Sequence, residues 1–316
     1  MLQALRRHVP PPVRTIDLND RVVVLTGGSR GLGLELARVF LGEGARVALL
    51  ARDPRELERA ANLLGHPALL VPCDVTDPEQ VKGAVARVVE RYGRVDVLVN
   101  NAGTIEVGPF EHMLDEDWEV ALDVHLRAPL NLVRACLPHM APGGRIANVS
   151  SIGGLVAVPH LAPYCASKHA LVGLSDTLRA ELAPRGIAVT TVCPWLMRTG
   201  SPPHVLVKGR HEEEYRWFVT MDTLPVVSQR SGQAARRIVR AIRRGDARVV
   251  TAFQGRLAVA LDAVAPGFFA WTMRVFETFL PRPAAEGGEE GMLGAHLRAP
   301  EWARPRLAEV GRRNNE

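Results

Sequence analysis

Three side chains in the middle of the chain have the types and the spacing of an acid/base site. Tyr164 and Lys168 stand four positions apart, and Ser151 precedes them. On a helix, positions i and i+4 share a face, so the phenol and the ammonium would point into the same space. A free tyrosine has a pKa of about 10, and a neighbouring cation lowers it toward the range of a useful acid or base. A serine hydroxyl at a nearby strand end would then hold a substrate carbonyl or hydroxyl in place.

A glycine-rich turn near the N-terminus, residues 26–33 (Thr-Gly-Gly-Ser-Arg-Gly-Leu-Gly), is the second chemical signal. It follows an apolar, β-branched run at 22–25 and opens a helical pattern at 34–40. Strand, glycine turn and helix in this order is the context in which such a motif predicts dinucleotide binding. Glycines let the backbone approach a pyrophosphate, and the helix N-terminus offers free N–H groups. The alternative is an ordinary tight turn between a strand and a helix.

The elements that must position these residues alternate along the chain. Apolar strand-like runs alternate with amphipathic helical runs, which is the pattern of βαβ units and a parallel sheet. Strands are predicted at residues 21–26, 46–50, 68–72, 95–100, 144–150, 188–193 and 248–251, and helices at 32–43, 55–64, 78–92, 115–140, 163–182 and 233–244. The near-continuous Val, Leu and Ala content suits strands covered on both faces. We therefore predict an α/β fold with about seven strands in a parallel sheet and helices on both faces.

The remaining segments divide the chain further. Residues 1–19 are predicted as a lead-in to a catalytic domain at 20–252. Residues 195–230 break the alternation after a strand, where ligands bind in an open α/β sheet, so we expect a substrate lid there rather than a surface excursion. Residues 253–281 are predicted as a helical extension that packs on the domain, on a sister subunit or on a membrane surface. Residues 282–316 are rich in Pro, Gly, Glu and Arg and are predicted to be disordered.

Composition excludes several classes of protein. The formal net charge of the chain is +5, and the sequence contains several arginine pairs. Such pairs more often lie on solvated helix faces than in a nucleic-acid site, so no nucleic-acid partner is expected. The four cysteines lack disulfide or metal-ligand spacing, which predicts buried thiols in a reducing cytosol and no metal. The apolar stretch 257–280 is interrupted by charges and by Pro266-Gly267, so no transmembrane span is predicted. The N-terminus lacks the pattern of a signal peptide, and we expect a cytoplasmic protein.

The ordered set of motifs resembles the short-chain dehydrogenase/reductase family. It comprises the turn at 26–33, Asn-Asn-Ala-Gly at 100–103, Ser151, and Tyr-Cys-Ala-Ser-Lys at 164–168, and the resemblance spans residues 20 to 250 approximately. It implies a Rossmann-type, doubly wound domain that transfers a hydride with a nicotinamide cofactor. Under this resemblance Tyr164 is the acid/base, Lys168 tunes the tyrosine and binds ribose, and Ser151 orients the carbonyl.

The resemblance also implies which residues contact the cofactor. Asn100 lies in the same loop as the expected contacts at 101–103. The expected contacts are Gly27, Ser29, Arg30, Gly31, Leu32, Gly33, Arg52, Asp74, Val75, Asn101, Ala102, Gly103, Tyr164, Lys168, Pro194, Leu196 and Thr199. NAD-binding Rossmann folds place an acid at the end of the second strand, where this chain has Ala51 followed by Arg52. Arg30 in the glycine turn is expected to face the same pocket as Arg52. Two guanidinium groups suit the 2′-phosphate of NADP, so the sequence favours NADP over NAD. A shift of register that moved Asp53 into that place would weaken the preference.

Two residues depart from the family pattern. His125 stands where the family usually has an asparagine that helps to hold a water relay to the lysine. A neutral, hydrogen-bonded histidine could replace it, or a charged one could alter proton transfer. Trp195 stands where a glycine usually follows Pro194; the indole would be strained at positive φ, or would form an aromatic wall of the substrate pocket.

The leading functional hypothesis is an NADP(H)-dependent oxidoreductase that interconverts a carbonyl and a secondary alcohol. Apolar residues after Ser151, with the aromatic residues of the lid, indicate an apolar small-molecule substrate. One alternative is a catalytically weak NADP-binding regulatory protein, and another is a reductase that uses its C-terminal helices on a membrane surface. We also expect a homodimer or homotetramer.

Overall fold

The computed structural model describes residues 13–315. In chain order the strands are β1 (Val22–Thr26), β2 (Arg46–Ala51), β3 (Leu69–Pro72), β4 (Val97–Asn100), β5 (Glu106–Val107), β6 (Arg145–Val149), β7 (Ala188–Cys193), β8 (Met197–Arg198), β9 (Leu206–Val207), β10 (Gln229–Arg230), β11 (Arg248–Val250) and β12 (Met292–Leu293). The α-helices are α1 (Gly31–Gly42), α2 (Pro54–Leu64), α3 (Pro78–Tyr92), α4 (Asp115–Leu122), α5 (Ala128–Cys136), α6 (Ala162–Leu182), α7 (His211–Thr223), α8 (Ser231–Arg244), α9 (Phe253–Val264), α10 (Pro266–Glu277) and α11 (Arg304–Asn314).

Seven strands form one sheet in the order β11-β7-β6-β4-β1-β2-β3, and every pairing within it is parallel. The chain runs outward from β1 in one direction through β2 and β3, and in the other through β4, β6, β7 and β11. The reversal between β1 and β4 is the topological switch point, where a crevice opens beyond the carboxyl ends of the strands. The Rossmann-type doubly wound fold predicted from the sequence is confirmed.

Helices cover both faces of this sheet, because its strands are apolar on both sides. On one face α1, α2 and α8 bury side chains such as Phe40, Leu57 and Ile238 against β1 and β2. On the other face α3 and α5 bury side chains such as Val85 and Leu132. Ile16 and Leu18 of the predicted lead-in also join the first cluster, whereas residues 1–12 lie outside the described residues.

The long helix predicted at 115–140 is interrupted. Between α4 and α5 the backbone makes a π-helical turn at Asp123–Arg127, with His125 at its centre, and a 3₁₀ turn at Leu137–His139 ends the segment. Pro129 has no N–H to donate to the carbonyl of His125, so regular α-helical bonding cannot pass this point. The sequence pattern alone did not distinguish this wider turn from a continuous helix.

The structure also differs from the sequence prediction at residues 282–315, which carry β12 and α11 instead of a disordered tail. Strand β12 pairs with β9, and β9 pairs with β5, so the tail joins the predicted lid to the loop after β4. Ala303 is fully buried in an apolar cluster with Val207, Tyr215 and Phe218. Gly294 permits the approach, because a Cβ there would lie 2.1 Å from the carbonyl oxygen of Pro202. A few apolar residues and glycines thus order a segment whose average composition is polar.

Helices α9 and α10 form a hairpin beside the loop that follows β6. Phe269 is buried with Ile152 and Val156, and Trp195 packs on the same cluster. The opposite side of the hairpin exposes apolar side chains: Phe253, Leu257, Val264, Phe268, Trp271 and Val275. Within residues 13–315, none of the helices combines the length and the apolar character that crossing a membrane requires.

Candidate active site

The structure brings the three predicted catalytic side chains together at the carboxyl end of the sheet. Ser151 follows β6, and Tyr164 and Lys168 lie on the first turns of α6. The Ser151 hydroxyl accepts from the backbone N–H of Gly153 at 3.1 Å and lies close enough to the phenol of Tyr164 to lower its pKa. Lys168 Nζ donates to the carbonyl oxygen of Val149 at 3.0 Å and lies 5.7 Å from the centroid of the Tyr164 ring. This arrangement can hold an oxygen atom between a serine and a tyrosine hydroxyl.

Burial dominates the electrostatics of this site. It raises the pKa of Tyr164 to about 12, and the hydrogen bond from Ser151 only partly opposes that shift. Burial likewise lowers the pKa of Lys168 to about 7, against the opposing effects of Cys193 and Glu106. The tuning of Tyr164 by Lys168 stays a prediction, because burial and the Ser151 hydrogen bond are the largest influences on the pKa of the phenol. A phenol that keeps its proton is suited to donating it, and a lysine that titrates near neutrality is suited to returning it.

His125 occupies a closed hydrogen-bond network beside these residues. Its Nε2 accepts from the backbone N–H of Thr104 at 3.2 Å, and its Nδ1 lies 2.8 Å from Ser167 Oγ. Ser167 Oγ in turn donates to the carbonyl oxygen of Tyr164 at 3.0 Å. The only assignment that satisfies all three bonds is a neutral ring with its proton on Nδ1. Burial and the neighbouring Lys168 lower the pKa of His125 well below its usual value, which favours the neutral interpretation made from the sequence.

Glu106 is a site residue that the sequence analysis missed. It is 2% exposed on β5; Thr104 Oγ1 donates to its Oε1 at 3.0 Å, while its Oε2 is buried without a partner among the described residues. Burial raises the pKa of this carboxyl to about 7, with a smaller contribution from Asp117, and its charge acts on both Lys168 and Tyr164. The available signal was a single acid between Ile105 and Val107 directly after the 100–103 motif.

The glycine turn has the backbone geometry that a tight strand-to-helix connection needs. Gly27 and Gly31 have positive φ values of 61° and 55°. A Cβ on Gly33 would lie 1.9 Å from the carbonyl oxygen of Gly27, so only glycine fits there. Among the described residues no side chain caps the N-terminus of α1, and its first turn has no acid. By contrast, Asp53 and Asp77 cap α2 and α3. The N-terminus of α1 therefore suits an anion such as a pyrophosphate.

The predicted loop after β4 is fixed against this turn. Thr26 Oγ1 accepts from the backbone N–H groups of Asn101 and Ala102 at 2.9 and 3.0 Å. Asn101 Nδ2 donates back to the carbonyl oxygens of Thr26 and Gly27. Gly103 completes the loop beside Lys168, because a Cβ there would lie 3.6 Å from Nζ. After β3, Asp74 accepts from Thr76 and Val75 is buried, so both lie at the same end of the sheet.

Four charged residues meet beyond the end of β2. Arg52 is exposed directly after the strand, and Asp53 uses its carboxylate to accept from the N–H of Arg55 at 2.7 Å. Glu56, which the sequence analysis did not select, accepts from Ser29 Oγ at 3.0 Å and pairs with Arg30 at 3.4 Å. Arg30 also contacts the ring of His204 across the cleft. The acid at this corner is thus Glu56, whereas Asp53 serves as a helix cap.

The segment after β7 forms the opposite side of the cleft. The carbonyl oxygen of Pro194 accepts from the N–H of Ile152 at 2.8 Å, and that of Leu196 accepts from Gln229. Trp195 does not have positive φ, so the strain considered from the sequence is absent. Its indole Nε1 donates to the carbonyl of Val227 at 2.5 Å, and the ring packs beside Ile152 and Phe269. The strain interpretation of Trp195 is excluded, and its role as an aromatic wall of the substrate pocket stays a prediction; Thr199 directly follows β8.

The four cysteines are buried and unpaired. Across residues 13–315, no cluster of three or more His, Cys, Asp or Glu side chains has the arrangement of a metal site. The structure thus shows a Rossmann-type, doubly wound domain with Ser151, Tyr164 and Lys168 at the carboxyl end of its sheet.

Comparison with known proteins agrees with that class. The family model described as short chain dehydrogenase matches residues 21–204. The chain is 34% identical over 269 residues to a dehydrogenase/reductase SDR family protein 7-like of Anopheles gambiae, covering 81% of this chain and 83% of that protein. It therefore belongs to the short-chain dehydrogenase/reductase family, and it is an NAD(P)-dependent dehydrogenase/reductase.

Two solved structures are similar. A short-chain dehydrogenase from Streptomyces avermitilis superposes with a TM-score of 0.70 at 29% identity, covering 82% of this chain and 98% of that one. A variant of actinorhodin polyketide ketoreductase, solved with NADPH, gives a TM-score of 0.63 at 32% identity, covering 73% and 95%.

Proposed function

We propose that this protein is an NADP(H)-dependent oxidoreductase that interconverts a carbonyl and a secondary alcohol on an apolar small molecule. The observation that carries the proposal is the joint placement of Ser151, Tyr164 and Lys168 beside the glycine turn and the loop after β4. A binding module would need the turn and the loop, but not a serine and a tyrosine hydroxyl aimed at one oxygen atom.

A nicotinamide cofactor held by the glycine turn and the loop after β4 would supply the hydride that the carbonyl carbon takes up in the reductive direction. Ser151 holds the carbonyl oxygen and stabilises the charge that develops on it. Tyr164 donates its phenolic proton to that oxygen, and its high pKa means that the proton is present at neutral pH. Lys168, whose pKa is near 7, then returns a proton toward the tyrosine. His125 acts as a positioning residue, because its bonds to Thr104 and Ser167 fix the turns around the pair.

The preference for NADP rests on the corner beyond β2. Arg52 is exposed there, Arg30 lies on the facing turn in an ion pair with Glu56, and Asp53 is committed to capping α2. Arg52→Asp is expected to weaken NADPH binding by roughly ten-fold or more while affecting NADH much less, since a charge-assisted contact is lost and a repulsion is added. Fluorescence titration with NADPH and with NADH measures the two dissociation constants and hence their ratio. Arg55→Asp, on the exposed start of α2, is the matched control. Equal affinity of the unmodified protein for the two cofactors would contradict the assignment.

The substrate is proposed to be apolar because of what surrounds Ser151. Ile152 and Val156 follow the serine and are buried with Phe269, and Trp195 adds an aromatic wall. The actinorhodin relative is named a ketoreductase, which agrees with reduction of a ketone.

The central experiment is Tyr164→Phe, which removes one hydroxyl. Turnover of a carbonyl substrate, found by screening with NADPH absorbance, should fall by roughly 10²–10⁴-fold, the usual effect of losing a positioned acid. NADPH affinity and the unfolding temperature should stay close to those of the unmodified protein. Tyr92→Phe, at the end of α3, is the matched control. If Tyr164→Phe retains the unmodified turnover, Tyr164 is not the acid and the proposed mechanism is wrong.

The predictions of a cytoplasmic location and of a homodimer or homotetramer stay predictions. So does the alternative of contact with a membrane surface through α9 and α10. Sedimentation velocity measures the assembly state, and sedimentation with anionic liposomes measures the membrane contact.

A further inference from the structure

The C-terminal end of α11 crosses the mouth of the cofactor cleft. Asn315 Nδ2 donates to the carbonyl oxygen of Ser29 at 2.8 Å and to that of Glu56 at 3.0 Å. Asn314 Nδ2 donates to the carbonyl oxygen of Thr199 at 2.7 Å. Ser29 follows β1, Glu56 lies on α2 and Thr199 follows β7. The two asparagines therefore bridge both sides of the crevice at the switch point.

Ion pairs and burial hold this helix end in place. Arg313 Nε lies 3.1 Å from the carboxylate of Glu35, which is buried on α1, and Arg59 Nε donates to Asn315 Oδ1. Asn314 is fully buried, and its Oδ1 has no hydrogen-bond partner within the described part of the chain. An unpaired buried carbonyl oxygen is costly, so a donor from a molecule in the cleft would stabilise this position.

The contacts of the asparagines are compatible with a bound dinucleotide. Their amides donate to backbone carbonyl oxygens, which a phosphate cannot use because its oxygens are acceptors. A pyrophosphate needs N–H donors, and those stand at the start of α1, where no side chain of residues 13–315 caps the helix. The helix end and the cofactor therefore use different backbone groups of the same turn.

We propose that residues 313–315 are the outer wall of the cofactor cleft, and that the dinucleotide enters and leaves by displacing them. This rests on the proposed binding of NADP(H) at the glycine turn. The wall gates exchange: it opens for entry, closes over the bound cofactor and slows its release.

The test measures NADPH binding rates by stopped-flow fluorescence, without turnover. The double substitution Asn314→Ala with Asn315→Ala removes the three bridging hydrogen bonds, and should raise both the association and the dissociation rate constants by about ten-fold. Because the gate acts on both directions, the dissociation constant should change much less. Arg312→Ala, two residues before Asn314 and exposed, is the matched control and should leave both rates unchanged. Asn315→Ala alone spares the buried Asn314 and should show the same effect at smaller size.

A second measurement follows the wall itself. Backbone amide exchange in residues 304–315 should slow when NADPH is added to the unmodified protein. Unchanged rates in a folded double variant, or exchange that ignores NADPH, would overturn the proposal. A rise in the association rate alone would also overturn it, since that identifies a segment that competes with the cofactor. Failure of the underlying assumption, NADP(H) binding at the glycine turn, looks different, because the unmodified protein would then give no NADPH binding signal at all.

Discussion

His125 shows, at the scale of single residues, how burial determines the behaviour of a titratable group. The sequence left open a charged histidine that would alter proton transfer below about pH 6.5. In the structure both ring nitrogens are bonded, and burial lowers the pKa well below that value. A ring that stays neutral cannot switch the site on or off in this range.

His125→Asn is therefore expected to be tolerated and to leave the shape of the pH–rate profile between pH 6 and 8 unchanged. Stability should respond instead. The unfolded histidine takes up a proton below about pH 6.5 whereas the native one does not, so the wild-type protein loses stability as the pH falls through that value. Between pH 7 and pH 5, the free energy of unfolding measured in urea should fall less for His125→Asn than for the wild-type protein. His66→Asn, at an exposed position, is the control; an equal acid loss in all three proteins would contradict the buried neutral ring.

Glu106 should make the stability of the protein depend on pH in the opposite direction. Its native pKa of about 7 lies above the unfolded value of 4.5, so the native state holds a proton that the unfolded chain has released. Stability should therefore fall as the pH rises from about 4.5 to 7 and level off above that. Glu106→Gln is expected to be more stable than the unmodified protein at pH 8, by about 1–3 kcal/mol, and not at pH 4. Urea unfolding at both pH values tests this, with exposed Glu111→Gln as the control. A stability difference independent of pH would show that ionisation is not the cause.

At the scale of elements, the sequence predicted the sheet within one or two residues per strand. Runs such as Val22–Thr26 and Ala188–Cys193 are buried on both faces, so apolar character alone marks them. Local patterns failed where tertiary contacts or backbone chemistry decide the structure. The wide turn at His125 depends on a proline four residues later, and Glu56 reaches Ser29 only through the packing of α2 against α1. The positions of Ser151, Tyr164 and Lys168 were predictable because α6 and the end of β6 follow from the pattern.

The helical extension offers a test with two adjacent phenylalanines. Phe269 is buried against Ile152 and Val156, whereas Phe268 is 54% exposed. Phe269→Ala should lower the free energy of unfolding by about 2–4 kcal/mol and raise the KM for an apolar substrate, because the residues after Ser151 lose their support. Phe268→Ala should change stability by less than about 0.5 kcal/mol. Equal effects of the two substitutions would show that the hairpin is not docked as described.

At the scale of the whole molecule, the C-terminal segment contacts the glycine turn near the N-terminus and covers the predicted lid. Residues 13–18 pack under β1 and β2, while the C-terminal segment closes the predicted lid and reaches the glycine turn. Average composition predicted disorder for this segment, because a few buried residues such as Ala303 and Leu307 carry its docking and contribute little to an average.

Ending the chain at Pro281 should therefore be damaging, contrary to what composition alone suggests. The apolar residues Val207, Tyr215 and Phe218 would lose their cover, so the unfolding temperature should drop by about 5 °C or more and binding of a hydrophobic dye should increase. Ala303→Gly, which keeps the segment but removes a fully buried methyl group, should lie between the two proteins. A shortened protein as stable as the full chain would show that the docking of residues 282–315 contributes nothing to stability.

The position of Asn315 against the glycine turn affects how the protein can be tagged or labelled. Asn315 lies at the rim of the cleft, so a group attached shortly after it would lie close to that rim. An affinity tag or a fluorescent fusion partner at that end would crowd the rim and distort measured exchange rates. The same position is an opportunity for a reporter: all four native thiols are buried, so a single cysteine added after residue 316 could be labelled selectively with a small environment-sensitive dye. Its signal would follow the arrival and departure of a nucleotide in real time, without any substrate being known.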